Sequence, residues 1–109
     1  MLLEVLKTQI EKEGFVVQTA INGLEVMNLV RRYSPNLIVL DLIIPGIDGF
    51  AVLKELKGDA LLAKIPVVVL SNLDKEGDIK STIALGASEH IVKANAKVED
   101  ILLAIKRNL

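Results

Sequence analysis

Asn36-Leu37-Ile38-Val39-Leu40-Asp41-Leu42-Ile43-Ile44-Pro45-Gly46-Ile47-Asp48-Gly49-Phe50 is the stretch whose reading decides the fold. Apolar residues from Leu37 to Leu40 run into one carboxylate, Leu42 to Ile44 follow it, and Pro45-Gly46 and Asp48-Gly49 then break the pattern. A continuous run of β-branched and Leu side chains is the pattern of a strand buried on both faces, as in the middle of a parallel sheet. An unpaired carboxylate inside such a run is costly. It is tolerable where the strand emerges at its carboxyl end, the place where open α/β sheets keep their sites. The simpler alternative is an Asp that only starts the next loop.

Two further runs lie downstream. Pro66-Val67-Val68-Val69-Leu70 is a second buried strand and ends at Ser71; a short strand around Ile91 and Val92 ends at Lys93. The segments between have helical periodicity. Leu2, Leu3, Leu6 and Ile10 form one stripe, stopped by Gly14. Phe15–Ala20 is expected to be a strand. Asn22-Gly23 opens a helix with Val26, Met27, Val30 and Tyr33 inward, closed by Ser34-Pro35. Asp48 is the expected N-cap of a helix burying Phe50, Leu53 and Leu56. The loop Ser71–Gly77 leads into a helix through Ile79, Ile83 and Leu85, and the last helix carries Val98, Ile101, Leu102, Ile105 and Leu109 on one stripe. Alternating strands and helices predict an α/β domain over 1–109, with a parallel sheet and helices on both faces.

Composition excludes several functions. The 109 residues carry 13 basic and 14 acidic side chains, a formal charge of −1, which argues against a nucleic-acid surface. Aromatic residues make up 3%, too few for base-stacking platforms. There is no Cys, hence no disulfide frame, thiolate chemistry or Cys-based zinc site. No apolar run is long enough for a membrane span and no signal peptide opens the chain, so a cytoplasmic, membrane-free domain is expected.

Asp41, Ser71 and Lys93 each end a strand, and parallel neighbours place their carboxyl ends side by side. Singly, Ser71 is an ordinary turn residue and Lys93 a solvated strand end. Together they suit an Asp nucleophile that takes a phosphoryl group, with a hydroxyl and an ammonium holding the anionic oxygens.

At these residues the chain resembles the receiver domain of bacterial two-component response regulators, from Met1 to Leu109. In that family the phospho-accepting Asp is followed 30 residues on by Ser or Thr and a further 22 on by Lys, spacings that Asp41, Ser71 and Lys93 match. Asp41–Gly49 and Ala84-Leu85-Gly86-Ala87 are also similar to family motifs. The resemblance implies a flavodoxin-like sheet of order 2-1-3-4-5 and phosphorylation of Asp41 by a histidine kinase or a phosphotransfer protein. It implies a signalling module rather than an enzyme, with output through the last two helices. It also implies Mg2+, with Asp41 and the backbone carbonyl of Ile43 as ligands. His90 takes the place of the family's aromatic switch residue; a half-exposed strand-edge His is the plainer reading.

The departures set further expectations. Family members begin with a strand ending in an acidic pair that ligates Mg2+, whereas this chain starts inside the first helix, so it is read as N-terminally truncated with weakened metal binding. Lys93-Ala94 replaces the family's Lys-Pro; a cis non-Pro bond costs roughly 3 kcal/mol, so a trans bond is expected. A phosphorylation-independent interaction or dimerisation module is the alternative function. A phosphatase of the haloacid dehalogenase type needs a second Asp two residues after the nucleophile, where Ile43 stands. In the parent order, loss of strand 1 would leave Phe15–Ala20 two strand spacings, about 10 Å, from the Asp41 strand. Either that segment slides across, giving order 2-3-4-5, or the open edges pair with a second chain; a homodimer is the expected outcome.

Overall fold

The computed structural model describes residues 3–44, 47–72 and 76–109; Leu2, Pro45, Gly46 and the loop residues 73–75 named above lie outside the described residues. In chain order the elements are α1 (Leu3–Lys12), α2 (Gly23–Tyr33), β1 (Ile38–Leu40), β2 (Ile43–Ile44), β3 (Ile47–Asp48), α3 (Gly49–Gly58), β4 (Val67–Ser71), α4 (Glu76–Ala84), β5 (Glu89–Val92) and α5 (Val98–Arg107). A single 3-10 turn, Lys93–Asn95, follows β5.

β1, β4 and β5 form one parallel sheet in that order. The register sets Ile38 opposite Val67, Leu40 opposite Val69, and Ser71 opposite Val92. Every residue of β4 is buried, because helices cover both faces of the sheet. The larger core cluster joins Val26, Met27 and Val30 of α2, Ile38 and Leu40 of β1, Val52, Leu53 and Leu56 of α3, and Val67 and Val69. The smaller cluster, on the other face, joins Leu6 and Ile10 of α1 with Leu70 and Ile101 and Ile105 of α5, and Leu37 and Val39 pack against it. Alternation along a strand thus divides neighbouring residues of one run between two cores.

Local signals set the helix ends. The Asn22 side chain accepts from the Glu25 amide at 2.9 Å and the Asp48 side chain from the Phe50 amide at 2.9 Å, each satisfying one of the amides left over in a first helical turn. Ser34 closes α2 in the left-handed region at φ 45, its N–H bonded to the Val30 carbonyl.

Several expectations need correction. Phe15–Ala20 is not a strand: it joins no ladder among the described residues, although Phe15 and Val17 pack against the smaller cluster while Val16 and Gln18 are exposed, the alternation a strand would have. It has not slid beside β1. A cleft of about 1020 Å³ is lined by this segment and by β1, so the segment has no strand at ladder distance to bond to. The strand that leads into Asp41 ends there, as expected. β1 ends at Leu40, and beyond Asp41 and the buried Leu42 the chain forms a short antiparallel pair, β2 with β3. Tyr33 is half exposed at the end of α2, with the Arg32 guanidinium 5.4 Å from its ring centroid. Ile83 and Leu109 are also half exposed, and the buried residue of α4 is Thr82. Among the described residues no peptide bond is cis, Lys93-Ala94 included.

One charged cluster ties the end of α5 to the start of β5. Arg107 donates from Nη2 and Nε to the Glu89 carboxylate at 2.5 and 3.2 Å, and the Asn108 amide also donates to it. The Arg107 hydrogen bonds hold the Glu89 carboxyl below its ordinary value; partial desolvation opposes them and Asn108 adds to them. A depressed folded value means the stabilisation is present above the unfolded carboxyl's titration, near 4.3, and is lost as pH falls through the lowered value. Glu89→Gln should therefore flatten the fall in thermal stability on acidification below about pH 5, measured as melting temperature against pH; an unchanged acid slope would assign it to other carboxylates.

Candidate functional site

The carboxyl ends of the three strands meet at one rim of the sheet. Asp41 is the first residue past β1, Lys93 the first past β5, and Ser71 the last of β4 between them. Lys93 Nζ donates to Asp41 Oδ2 at 2.9 Å across 52 residues of sequence. Both side chains keep water contact, with 29% of Lys93 and 37% of Asp41 exposed, so the pair is open to an incoming reactant. An ion pair this accessible contributes only about 1 kcal/mol or less to stability. Ser71 is wholly buried, and its ladder position opposite Val92 puts it next to the start of the Lys93 turn.

The residue after Asp41 is held by a contact that the sequence did not single out. The Gly49 amide donates to the Leu42 carbonyl at 3.0 Å. A side-chain carbon built on Gly49 would lie 2.3 Å from Leu42 Cα and 2.6 Å from its carbonyl oxygen. Only glycine lets the start of α3 press against the residue after Asp41. The sequence signal, a glycine directly after an N-cap Asp, was present but reads equally as an ordinary helix start.

His90 is half-buried on β5, and its Nδ1 lies 2.8 Å from Thr82 Oγ1 on α4. The Thr82 hydroxyl donates back to the Ile79 carbonyl at 2.9 Å. The hydroxyl that bonds the Ile79 carbonyl thus also meets the imidazole. This bond links β5 to α4, and Thr82 is the second residue that periodicity alone did not single out.

Mg2+ is poorly served here. Among the described residues no group of three or more His, Cys, Asp or Glu side chains is placed to hold a metal ion. The Asp41 carboxylate is already bonded to an ammonium, and the Ile43 carbonyl, the other ligand the resemblance implies, is a single neutral donor. An octahedral ion would draw nearly all its ligands from water. These residues do not fit a resident Mg2+.

Gly49→Ala should displace Leu42 and with it Asp41, lowering stability by about 1–3 kcal/mol, the usual result of overpacking; unchanged melting and an unmoved Asp41 amide resonance would contradict the contact. Thr82→Val should remove the hydrogen bond at His90 Nδ1 and shift that nitrogen's resonance in nitrogen-detected NMR; an unmoved resonance would contradict the contact.

Known proteins share this fold. The family model for the response regulator receiver domain matches residues 1–106. The chain is 34% identical over 101 residues to Response regulator PleD of Caulobacter vibrioides, covering 93% of this chain but only 22% of that protein's length. The signal receiver domain of a signal transduction histidine kinase from Syntrophus aciditrophicus superposes with a TM-score of 0.86 at 32% identity, over 97% of this chain and 80% of that one. The receiver domain of Francisella response regulator 1452 superposes with a TM-score of 0.88 at 24% identity, over 96% and 84%, a likeness of fold alone. A parallel sheet that gathers Asp41, Ser71 and Lys93 at one rim, in a chain matched nearly end to end, belongs to the response regulator receiver domain family.

Proposed function

We propose that this domain accepts a phosphoryl group on Asp41 from a histidine kinase or a phosphotransfer protein, within a two-component pathway. The observation that carries the reading is the 2.9 Å contact between Lys93 Nζ and Asp41 Oδ2 at an accessible strand end, in a chain of the receiver family. In this reading a carboxylate oxygen of Asp41 attacks phosphorus on the donor's phosphohistidine. The P–N bond breaks, a P–O bond forms, and the released electron pair remains on the imidazole, which takes up a proton. The phosphoryl group brings about −1.5 to −2 charges. Lys93 follows that charge onto the phosphoryl oxygens, and the Ser71 hydroxyl is the second donor within reach of the rim. Movement of Ser71 would pull on the segment that enters α4, and the Thr82–His90 bond would carry it to β5; His90 is the switch residue on this reading. The domain turns over no separate substrate of its own. Among the described residues no helix is long and apolar enough to cross a membrane, which accords with a cytoplasmic site of action.

The poor fit of Mg2+ favours a second reading, a receiver-fold interaction module that works without phosphorylation. Intact mass after incubation with acetyl phosphate and Mg2+ separates the two. The chain should gain one phosphoryl group, Asp41→Asn should gain none, and Lys93→Ala should gain it more slowly. No gain in the unaltered chain would assign it to the interaction module.

A further inference from the structure

α4 sits on the sheet with little apolar purchase. Its buried residue is Thr82, a polar one, and Ile83 on the same helix is 46% exposed. Leu85 and Ala87, past its end, are what reach the larger core cluster there. A helix held this way depends on its polar contacts, and a change in them alters how readily it opens. Thr82 Oγ1 stands 2.9 Å from the Ile79 carbonyl oxygen and 2.8 Å from His90 Nδ1. Thr82 is wholly buried, so water does not replace either partner.

His90 is the one histidine of the chain, and histidine is the side chain that changes charge between about pH 5 and 8. The hydroxyl has one proton to give and two lone pairs. A neutral ring with its proton on Nε2 leaves Nδ1 bare, and Nδ1 then competes with the Ile79 carbonyl for the hydroxyl proton. A neutral ring with its proton on Nδ1 donates to Oγ1 instead. The imidazolium has no such choice, since both of its nitrogens carry protons. Its Nδ1–H donates to Oγ1, the hydroxyl proton is left to Ile79, and a bond from a charged donor is the stronger kind. Partial desolvation of the charged ring opposes the gain, but His90 keeps some water contact.

Other charges near the ring are few. Val69 of β4 lies opposite His90, and Val67–Ser71 holds no acid or base. On α4, Asp78 stands one turn before Thr82, while Glu76 and Lys80 pair with each other at 3.0 Å in the open. Glu89, next to His90 on β5, is held by Arg107, and Lys93 beyond the strand by Asp41. Asp74 and Lys75 lie outside the described residues. We propose that His90 is a pH-dependent clamp between β5 and α4: its protonation commits the Thr82 hydroxyl to Ile79 and seats the helix, and its deprotonation loosens the helix. The clamp acts in the unmodified chain and requires no phosphoryl group.

The test follows the whole chain by NMR from about pH 5 to 8, with amide exchange corrected for its intrinsic pH dependence. Protection at Thr82, Ile83 and Ala84 should rise about fivefold as His90 gains its proton, with the midpoint of the rise at the midpoint of the ring's titration. Thr82→Val should abolish the rise while His90 still titrates, and His90→Gln should leave none. Thr82→Ser, which keeps the hydroxyl, should retain it, as should Asp78→Asn. Protection that stays flat across the ring's titration overturns the proposal. So does a rise that survives Thr82→Val or disappears in Asp78→Asn.

Discussion

β4 is buried at every residue, and that is the constraint on which the arrangement depends. Its peptide groups have no access to water, so neighbouring strands must satisfy them. β1 and β5 do so, both parallel to it. Parallel pairing fixes more than stability. It brings the ends of three segments, far apart in sequence, to the same rim, and a helix between each pair of strands keeps their direction common. The Lys93–Asp41 contact is a result of this ladder more than a cause of it; an ion pair so exposed could not hold the strands in register.

The layered fold was legible because its signals are local and redundant. The β-branched runs at Ile38–Leu40 and Val67–Leu70, the N-caps Asn22 and Asp48, and the apolar stripe of α5 each point to the element that forms. Phe15–Ala20 carries a similar pattern and failed, since a strand is a property of a pair and the partner is no part of its own sequence. Tyr33 and Leu109 failed for another reason: periodicity says which face a residue shares, not where the core beneath that face ends.

The rim was readable in part. Asp41 and Lys93 stood out because a charge that closes an apolar run is conspicuous. Gly49 and Thr82 did not, because what distinguishes them lies across the fold. Gly49 matters for the backbone it lets approach, at Leu42, and Thr82 for the ring it meets, on His90. A glycine and a threonine in helical sequence look alike whether or not they face anything of consequence.

The division of the core has one more consequence. The larger cluster draws on α2, α3, β1 and β4, whereas among its described side chains α1 gives Leu6 and Ile10 to the smaller one, helped at its end by an exposed Lys106–Glu13 contact at 3.3 Å. Local opening follows the distribution of buried apolar contacts. Residues 4–20 therefore form the seam along which the molecule comes apart first, and a protease cutting near Gly14 would meet the least resistance while β4 and its neighbours stayed closed.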